Sequence, residues 1–178
     1  MQVRATARYA RAIDATADLL GRLKIEVVFV GAVARAAWLG GEVARGSVDL
    51  IALMQSQQMD QLARMASNRG FRVEQEEIDQ TVELDLVPLN FVDEEGDVRV
   101  HVLVATNALY GRMAAAAVEA TLGERTLRVV TAEDLGLLTM MSEDDVTLRA
   151  LTMLDAFDRR SFNQKLVSIG LAERVIAE

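Results

Sequence analysis

The chain of 178 residues lacks cysteine altogether and contains a single histidine and a single proline. Without cysteine it can form no disulfide, no thiolate nucleophile and no zinc–thiolate site. One histidine also excludes a metal centre built from several imidazoles. Thiol chemistry and multi-histidine metal centres are therefore absent from the functions open to this chain.

Long apolar runs and an excess of positive charge are also missing. No segment approaches the run of about 18 apolar residues that a membrane span needs. The first residues, with Arg4, Arg8 and Arg11 among alanines, lack the apolar core of a secretory signal, so we expect a cytoplasmic protein with no membrane partner. The formal net charge of −8 opposes binding to a nucleic-acid backbone, and we expect no long nucleic-acid partner.

The composition is that of a soluble globular protein, with 51% apolar and 26% charged residues, and the length fits one domain over 1–178. Pro88 lies inside a strand-like run and predicts an edge strand or a bulge there. The predicted fold is α/β (α+β), a mixed central β-sheet flanked by helices, with a sheet-containing core over 1–130 and a helical part over 131–178. Periodicity predicts helices over 5–23, 31–39, 57–68, 108–121, 133–141, 143–157 and 161–177. The predicted strands are 26–30, 47–54, 71–73, 82–91, 98–105 and 126–130.

A short apolar strand over 26–30 runs into a small-residue turn, Gly31-Ala32, which opens a helix. Backbone N–H groups at the start of a helix can cradle a phosphate, and alanine still offers such a group. The turn is therefore a candidate phosphate site, although any strand-to-helix turn shares this property.

The next strand carries polar residues at alternate positions. Because alternate residues of a strand project from one face, Ser47, Asp49 and Ile51 are expected on the same face. Two acids at such positions would hold magnesium ions through their carboxylates. The second position here is Ile51, which cannot ligate a metal and would drive water away.

This arrangement resembles the minimal nucleotidyltransferases of the polymerase-beta-like superfamily, which move a nucleoside monophosphate onto a hydroxyl with the help of Mg²⁺. The resemblance covers most of 20–155, and the run Glu133-Asp134-Leu135 is similar to a helix of bacterial members related to abortive-infection and toxin–antitoxin proteins. It implies that Asp49 is a catalytic residue and a metal ligand. The residues that it implies for nucleotide binding are Gly31, Ala32, Arg45 and Ser47.

Three positions depart from the pattern of that family. Ile51 replaces the second acid of the strand, His101 stands where the third acid is expected, and Thr139 replaces a lysine. Imidazole is a poor ligand for magnesium. Two of the three expected carboxylates and a phosphate-binding cation are thus missing, so the resemblance supports the fold more strongly than the activity.

Glu83, Asp85 and His101 each have two interpretations. Glu83 and Asp85 form an acid-x-acid pair that would help Asp49 hold a metal, but their alternation with apolar residues is explained by a solvated strand face, which we favour. His101 is either a catalytic or metal-binding residue, or a partly buried histidine bonded to the backbone or to Asp49. We favour the second interpretation of His101 as well.

Three hypotheses about function follow. The first is a nucleotidyltransferase-like protein that has lost catalysis, a pseudoenzyme that needs no cofactor and binds a nucleotide, a protein partner or a second copy of itself. The second is an active Mg²⁺-dependent nucleotidyltransferase with Asp49 as the principal ligand. The third is an antitoxin-like partner of a separate toxin, which predicts an exposed apolar patch. We favour the first.

Overall fold

The computed structural model describes residues 1–73, 86–174 and 176 of the chain, which form a mixed sheet with helices packed on it. The predicted α/β fold class is confirmed. The helices in this part of the chain are α1 (Ala7–Arg22), α2 (Gly31–Leu39), α3 (Ser56–Ser67), α4 (Ala108–Ala116), α5 (Ala132–Met141), α6 (Asp145–Thr152) and α7 (Arg159–Ser168). The strands are β1 (Arg4–Ala5), β2 (Glu26–Phe29), β3 (Glu42–Val43), β4 (Val48–Leu53), β5 (Phe71–Arg72), β6 (Leu86–Phe91), β7 (Val98–Val104), β8 (Val118–Leu122) and β9 (Arg125–Val129).

The main sheet has the strand order β5-β6-β7-β4-β2-β9-β8. Strand β4 pairs antiparallel with β2 and parallel with β7, and β2 pairs parallel with β9, so the sheet is mixed. The central strand β4 carries Asp49, its neighbour β2 leads directly into α2, and its other neighbour β7 carries His101. The topology therefore brings three separate parts of the sequence together at the middle of the sheet.

Strand β4 is covered on both of its faces. Leu50 and Ile51 project to opposite sides of the strand, and neither has any solvent exposure. Helices α1, α2 and α4 contact β4. Such double burial explains the nearly continuous apolar run of this strand. An ionised side chain is tolerated only near the end of the strand, where Asp49 stays partly exposed.

The predicted helix over 108–121 is wrong after Ala116, where α4 ends, because 118–122 form strand β8. In β8 the buried Ala120 and Leu122 alternate with the exposed Glu119 and Thr121. This alternation of period two was hidden by the alanine-rich run before it. A two-residue connection at 123–124 then joins β8 to β9 as an antiparallel hairpin.

Other boundaries also differ from the prediction. The predicted helix over 143–157 ends at Thr152. The predicted helix over 161–177 is interrupted, because α7 ends before Gly170, whose φ is +81°. A short 3₁₀ helix follows at Ala172–Arg174. Two short strands, β1 and β3, were not predicted and pair parallel with each other. The segment before β1 also lies along β8, where the Val3 N–H donates to the Thr121 carbonyl at 2.7 Å.

Strand β6, which contains Pro88, is second from the edge of the sheet and not at the edge itself. Strand β5 at the edge pairs only with Asn90 and Phe91 of β6. Among the described residues, none pairs with Pro88 on that side, while His101 of β7 lies opposite it on the other. The absence of a proline N–H is therefore compatible with this position.

No helix within residues 1–73 and 86–174 combines the length and apolar character that crossing a membrane requires.

An ion pair fastens the connection between β6 and β7 to α1. The Arg11 guanidinium donates from Nε to Asp93 Oδ2 at 2.8 Å and from Nη2 to Asp93 Oδ1 at 3.0 Å. Asp93 Oδ1 also accepts the Glu95 N–H at 2.9 Å. Chiefly through the hydrogen bonds from Arg11, the pKa of Asp93 is lowered from 3.8 to about 2. The ionised carboxylate is thus favoured in the folded state.

Asp93→Asn is expected to lower the melting temperature at neutral pH, because it removes the charge that Arg11 holds. A carboxyl whose pKa is depressed by folding adds stability above its ordinary pKa and loses it as the pH falls through the folded value. The difference from the wild type should therefore be complete above about pH 4 and shrink as the pH falls toward 2. Thermal melts across this range test it. In an Arg11→Met background, Asp93→Asn should lower the melting temperature much less. A difference in melting temperature between Asp93→Asn and the wild type that persists unchanged at pH 2 would contradict the lowered pKa of Asp93.

Candidate functional site

Gly31 holds the start of α2 directly beside Asp49. The Val30 N–H donates to the Asp49 carbonyl at 2.9 Å, which fixes the turn against β4. Gly31 has a φ of +52°, and a Cβ added there would lie 2.5 Å from Asp49 Oδ2. A larger residue would therefore meet both backbone strain and a clash with the carboxylate, and glycine is the residue that fits.

Asp49 and His101 form a side-chain pair across β4 and β7. The two residues are opposite each other in the parallel register, and His101 Nδ1 lies 2.8 Å from Asp49 Oδ1. Their side chains keep 25% and 32% of their solvent exposure, so the pair is reachable from solvent. Because an ionised carboxylate only accepts hydrogen bonds, a bond to the ionised form of Asp49 requires the proton on Nδ1 of His101. The interpretation of His101 as a histidine bonded to Asp49 agrees with this geometry.

Ile51 lies two residues further along β4 and has no solvent exposure. It is opposite Leu103 of β7 and Val28 of β2 in the sheet register. The position that would carry a second acid is therefore part of the apolar core. An aspartate there would be taken out of water, which is unfavourable unless a metal or another partner compensates for its charge.

A cleft of about 480 Å³ opens at this end of the sheet. It brings together five of the predicted site residues, Gly31, Ala32, Arg45, Ser47 and Asp49, while His101 is not part of its wall and reaches the site through Asp49. The other lining residues come from α2, from the loop before β4, and from α5, α6 and the turn between them. They are Arg35, Gly46, Leu135, Leu138, Thr139, Ser142, Asp144 and Thr147.

Arg35 and Asp144 line the cleft and were missed in the sequence. Arg35 lies four residues after Gly31 on α2, and this helical spacing places it on the same side of the helix. Asp144 caps α6 by accepting the Thr147 N–H at 3.0 Å. Hydrogen bonds from Thr147, together with the charge of Arg35, lower the pKa of Asp144. Arg35 Nη1 lies 4.0 Å from Asp144 Oδ2, so the two form a loose ion pair across the cleft.

Thr139, where the resemblance predicts a lysine, lies in the wall of the cleft. It is 7% exposed, and its hydroxyl donates to the Gly136 carbonyl at 2.9 Å. Lys165 of α7 reaches the same helix, but it pairs with the buried Asp134, which does not line the cleft. Lys165 therefore does not supply the missing cation, and the positive charges in the wall are Arg35 and Arg45.

The described residues do not fit a two-magnesium site. Magnesium takes near-octahedral oxygen coordination and is usually held by one or two carboxylates together with phosphates and water. Within the described ranges, no three histidine, aspartate or glutamate side chains converge on one point. Asp49 is the acid at the predicted position, and one of its oxygens is bonded to His101. Glu83 and Asp85, the predicted helpers, lie outside the described residues.

Comparisons with known proteins show what the fold is similar to. No family model matches the chain, and no curated protein sequence matches it. The structure is similar to a crystal structure of an antigenic nucleotidyltransferase-like protein from Paracoccidioides brasiliensis, with a TM-score of 0.55, 12% identity, and 96% of this chain and 90% of that chain covered. It is also similar to ANT(2")-Ia in complex with adenylyl-2"-tobramycin, with a TM-score of 0.54, 15% identity, and 94% and 97% of the two chains covered. The chain has a nucleotidyltransferase-like fold, as predicted.

The contact between Gly31 and Asp49 gives a stability prediction. Gly31→Ala should lower the free energy of unfolding by at least about 1 kcal/mol, because a left-handed backbone is unfavourable for alanine by about 1–2 kcal/mol and its Cβ must displace the carboxylate. Gly111→Ala is the matched control, since an added Cβ at that helical glycine would contact nothing within 4 Å. The control should stabilise the protein by about 0.5–1 kcal/mol. Urea unfolding measures both, and a Gly31→Ala protein as stable as the wild type would contradict the geometry.

Proposed function

We propose that this chain is a nucleotidyltransferase-fold protein that no longer catalyses metal-dependent transfer and acts as a nucleotide-binding module. The observation that carries the proposal is the state of the three acid positions. Asp49 is bonded to His101, His101 itself occupies the position of the third acid, and Ile51 is buried in the core. Two-metal catalysis needs carboxylates at these positions to hold both ions.

Nucleotide binding is supported by the part of the site that remains intact. The cleft places the Gly31-Ala32 turn at the start of α2 beside Arg45 and Ser47. The first turn of α2 has no side-chain cap, so its N–H groups are available to a ligand oxygen. Leu135 and Leu138 provide an apolar wall from α5. A cleft with a few polar groups and an apolar wall is typical of small-ligand sites.

Titration calorimetry with ATP, GTP, CTP and UTP, each with magnesium and with EDTA, tests the proposal together with an assay for pyrophosphate release. We expect at least one nucleotide to bind and none to release pyrophosphate, with or without a hydroxyl acceptor. The active-enzyme hypothesis predicts the opposite result, namely magnesium-dependent pyrophosphate release that Asp49→Asn abolishes. That result would overturn the loss of catalysis and make Mg²⁺ the cofactor.

A protein-interaction module is the second candidate, and one surface favours it. Val146 and Met153 are seven residues apart at α6 and its C-terminal end, and they are 82% and 78% exposed. This spacing places both on one side of the helix. Burial of these two side chains by a partner would remove apolar surface from water, which favours association. A chain that binds none of the four nucleotides would favour this candidate, with a second copy or a separate protein such as a toxin as the partner.

A further inference from the structure

We propose that the cleft binds nucleotide phosphates without a divalent cation, with Arg35 and Arg45 supplying the positive charge. The inference rests on the proposed nucleotide binding and adds how the phosphates are recognised. Among the described residues, the site lacks the carboxylates that would hold the magnesium ions implied by the fold. Where the protein supplies few ligands for magnesium, arginine side chains can neutralise the charge of the phosphates instead.

Both oxygens of Asp49 are close to other groups of the protein. Oδ1 is 2.8 Å from His101 Nδ1, and Oδ2 lies against Gly31, where an added Cβ would be only 2.5 Å away. A metal ion at Asp49 would have to displace the imidazole or enter beside the glycine. The N–H of His101 also offsets part of the negative charge that Asp49 would otherwise present to a phosphate.

Neither Arg35 nor Arg45 forms a close ion pair or hydrogen bond through its side chain with a described residue. Arg45 is exposed and makes no hydrogen bond or ion pair with any described residue. Arg35 is 49% exposed at its side chain, and its 4.0 Å separation from Asp144 exceeds the length of a hydrogen bond. Asp144 keeps its bond from Thr147 if Arg35 moves away. Both guanidinium groups can therefore turn toward a ligand at little cost to the fold.

The positions of the arginines also fit a chain of phosphates. Arg35 and Arg45 line both the 480 Å³ cleft and a second hollow of about 240 Å³ beside Gly40 and Gly41. The two arginines are therefore shared by the walls of two neighbouring cavities. A guanidinium binds phosphate oxygens through paired N–H donors, which a single ammonium group does not offer. We place the polyphosphate between the arginines and the base of the nucleotide toward the apolar wall of α5.

The test is calorimetric titration of the full chain with ATP and with inorganic tripolyphosphate, in EDTA and in magnesium. ATP should bind in EDTA at least as tightly as in magnesium, because the metal hides the phosphate charge from the arginines. Tripolyphosphate, which lacks the base, should bind more weakly than ATP but measurably. Arg35→Met and Arg45→Met should each weaken ATP binding about tenfold, and Arg45→Lys should fall between Arg45→Met and the wild type.

Two further variants make the result specific. Arg64→Met removes an exposed arginine of α3, outside the cleft, and should leave ATP affinity unchanged. Asp49→Asn should preserve or tighten ATP binding in EDTA, since it removes a negative charge near the phosphates, whereas in a magnesium site it would abolish binding. Thermal melts of each variant establish that it is folded.

The outcomes separate this inference from the function on which it rests. Binding that requires magnesium, or that Asp49→Asn abolishes, would overturn metal-free recognition and leave nucleotide binding intact. Unchanged affinity in both arginine-to-methionine variants, or no binding of tripolyphosphate, would overturn the role of the arginines. A chain that binds none of ATP, GTP, CTP and UTP in either condition would overturn the proposed function together with the inference.

Discussion

The contact of the Asp49 carboxylate with Gly31 on one side and His101 on the other is the constraint on which the site depends. It joins the turn into α2, the central strand β4 and the neighbouring strand β7, which are far apart in the sequence. Only a residue without a Cβ lets the turn approach the carboxylate so closely. His101 donates a hydrogen bond to the carboxylate, whereas an acid at position 101 would place two negative charges together.

Positions 51 and 101 carry Ile51 and His101, where the resemblance predicts acids. Carboxylates at positions 51 and 101 would attract metal ions, but Ile51 adds to the core and His101 supplies a hydrogen bond to the remaining acid. The cleft nevertheless stays open and keeps Arg35 and Arg45 in its wall. This combination is the basis of our proposal that a protein of this nucleotidyltransferase-like fold binds a nucleotide without catalysing transfer.

Much of the architecture could be predicted from local patterns, because apolar periodicity reports burial directly. The bounds of α2 were predicted correctly from Gly31 and from the glycine pair after Leu39. Strand β8 was missed because its short alternation follows an alanine-rich helix. In the site, the spacing around Asp49 pointed to residues that do meet in one cleft, and their functional roles stay predictions. Arg35 was missed although it lies one helical turn after Gly31, whereas Asp144 could not be found from spacing, because only the packing of α6 against α2 brings it to the cleft.

The most direct measurement of the central claim is nitrogen NMR of the imidazole, since the chain contains one histidine and its signal needs no assignment. Under conditions where the ring is neutral, long-range proton–nitrogen spectra of a protein without a histidine tag distinguish the two tautomers. The account predicts that Nδ1 carries the proton, held by Asp49, and that Asp49→Ala releases this preference. A proton on Nε2 in the wild-type protein would contradict the pairing of Asp49 with His101 and the account of the site built on it.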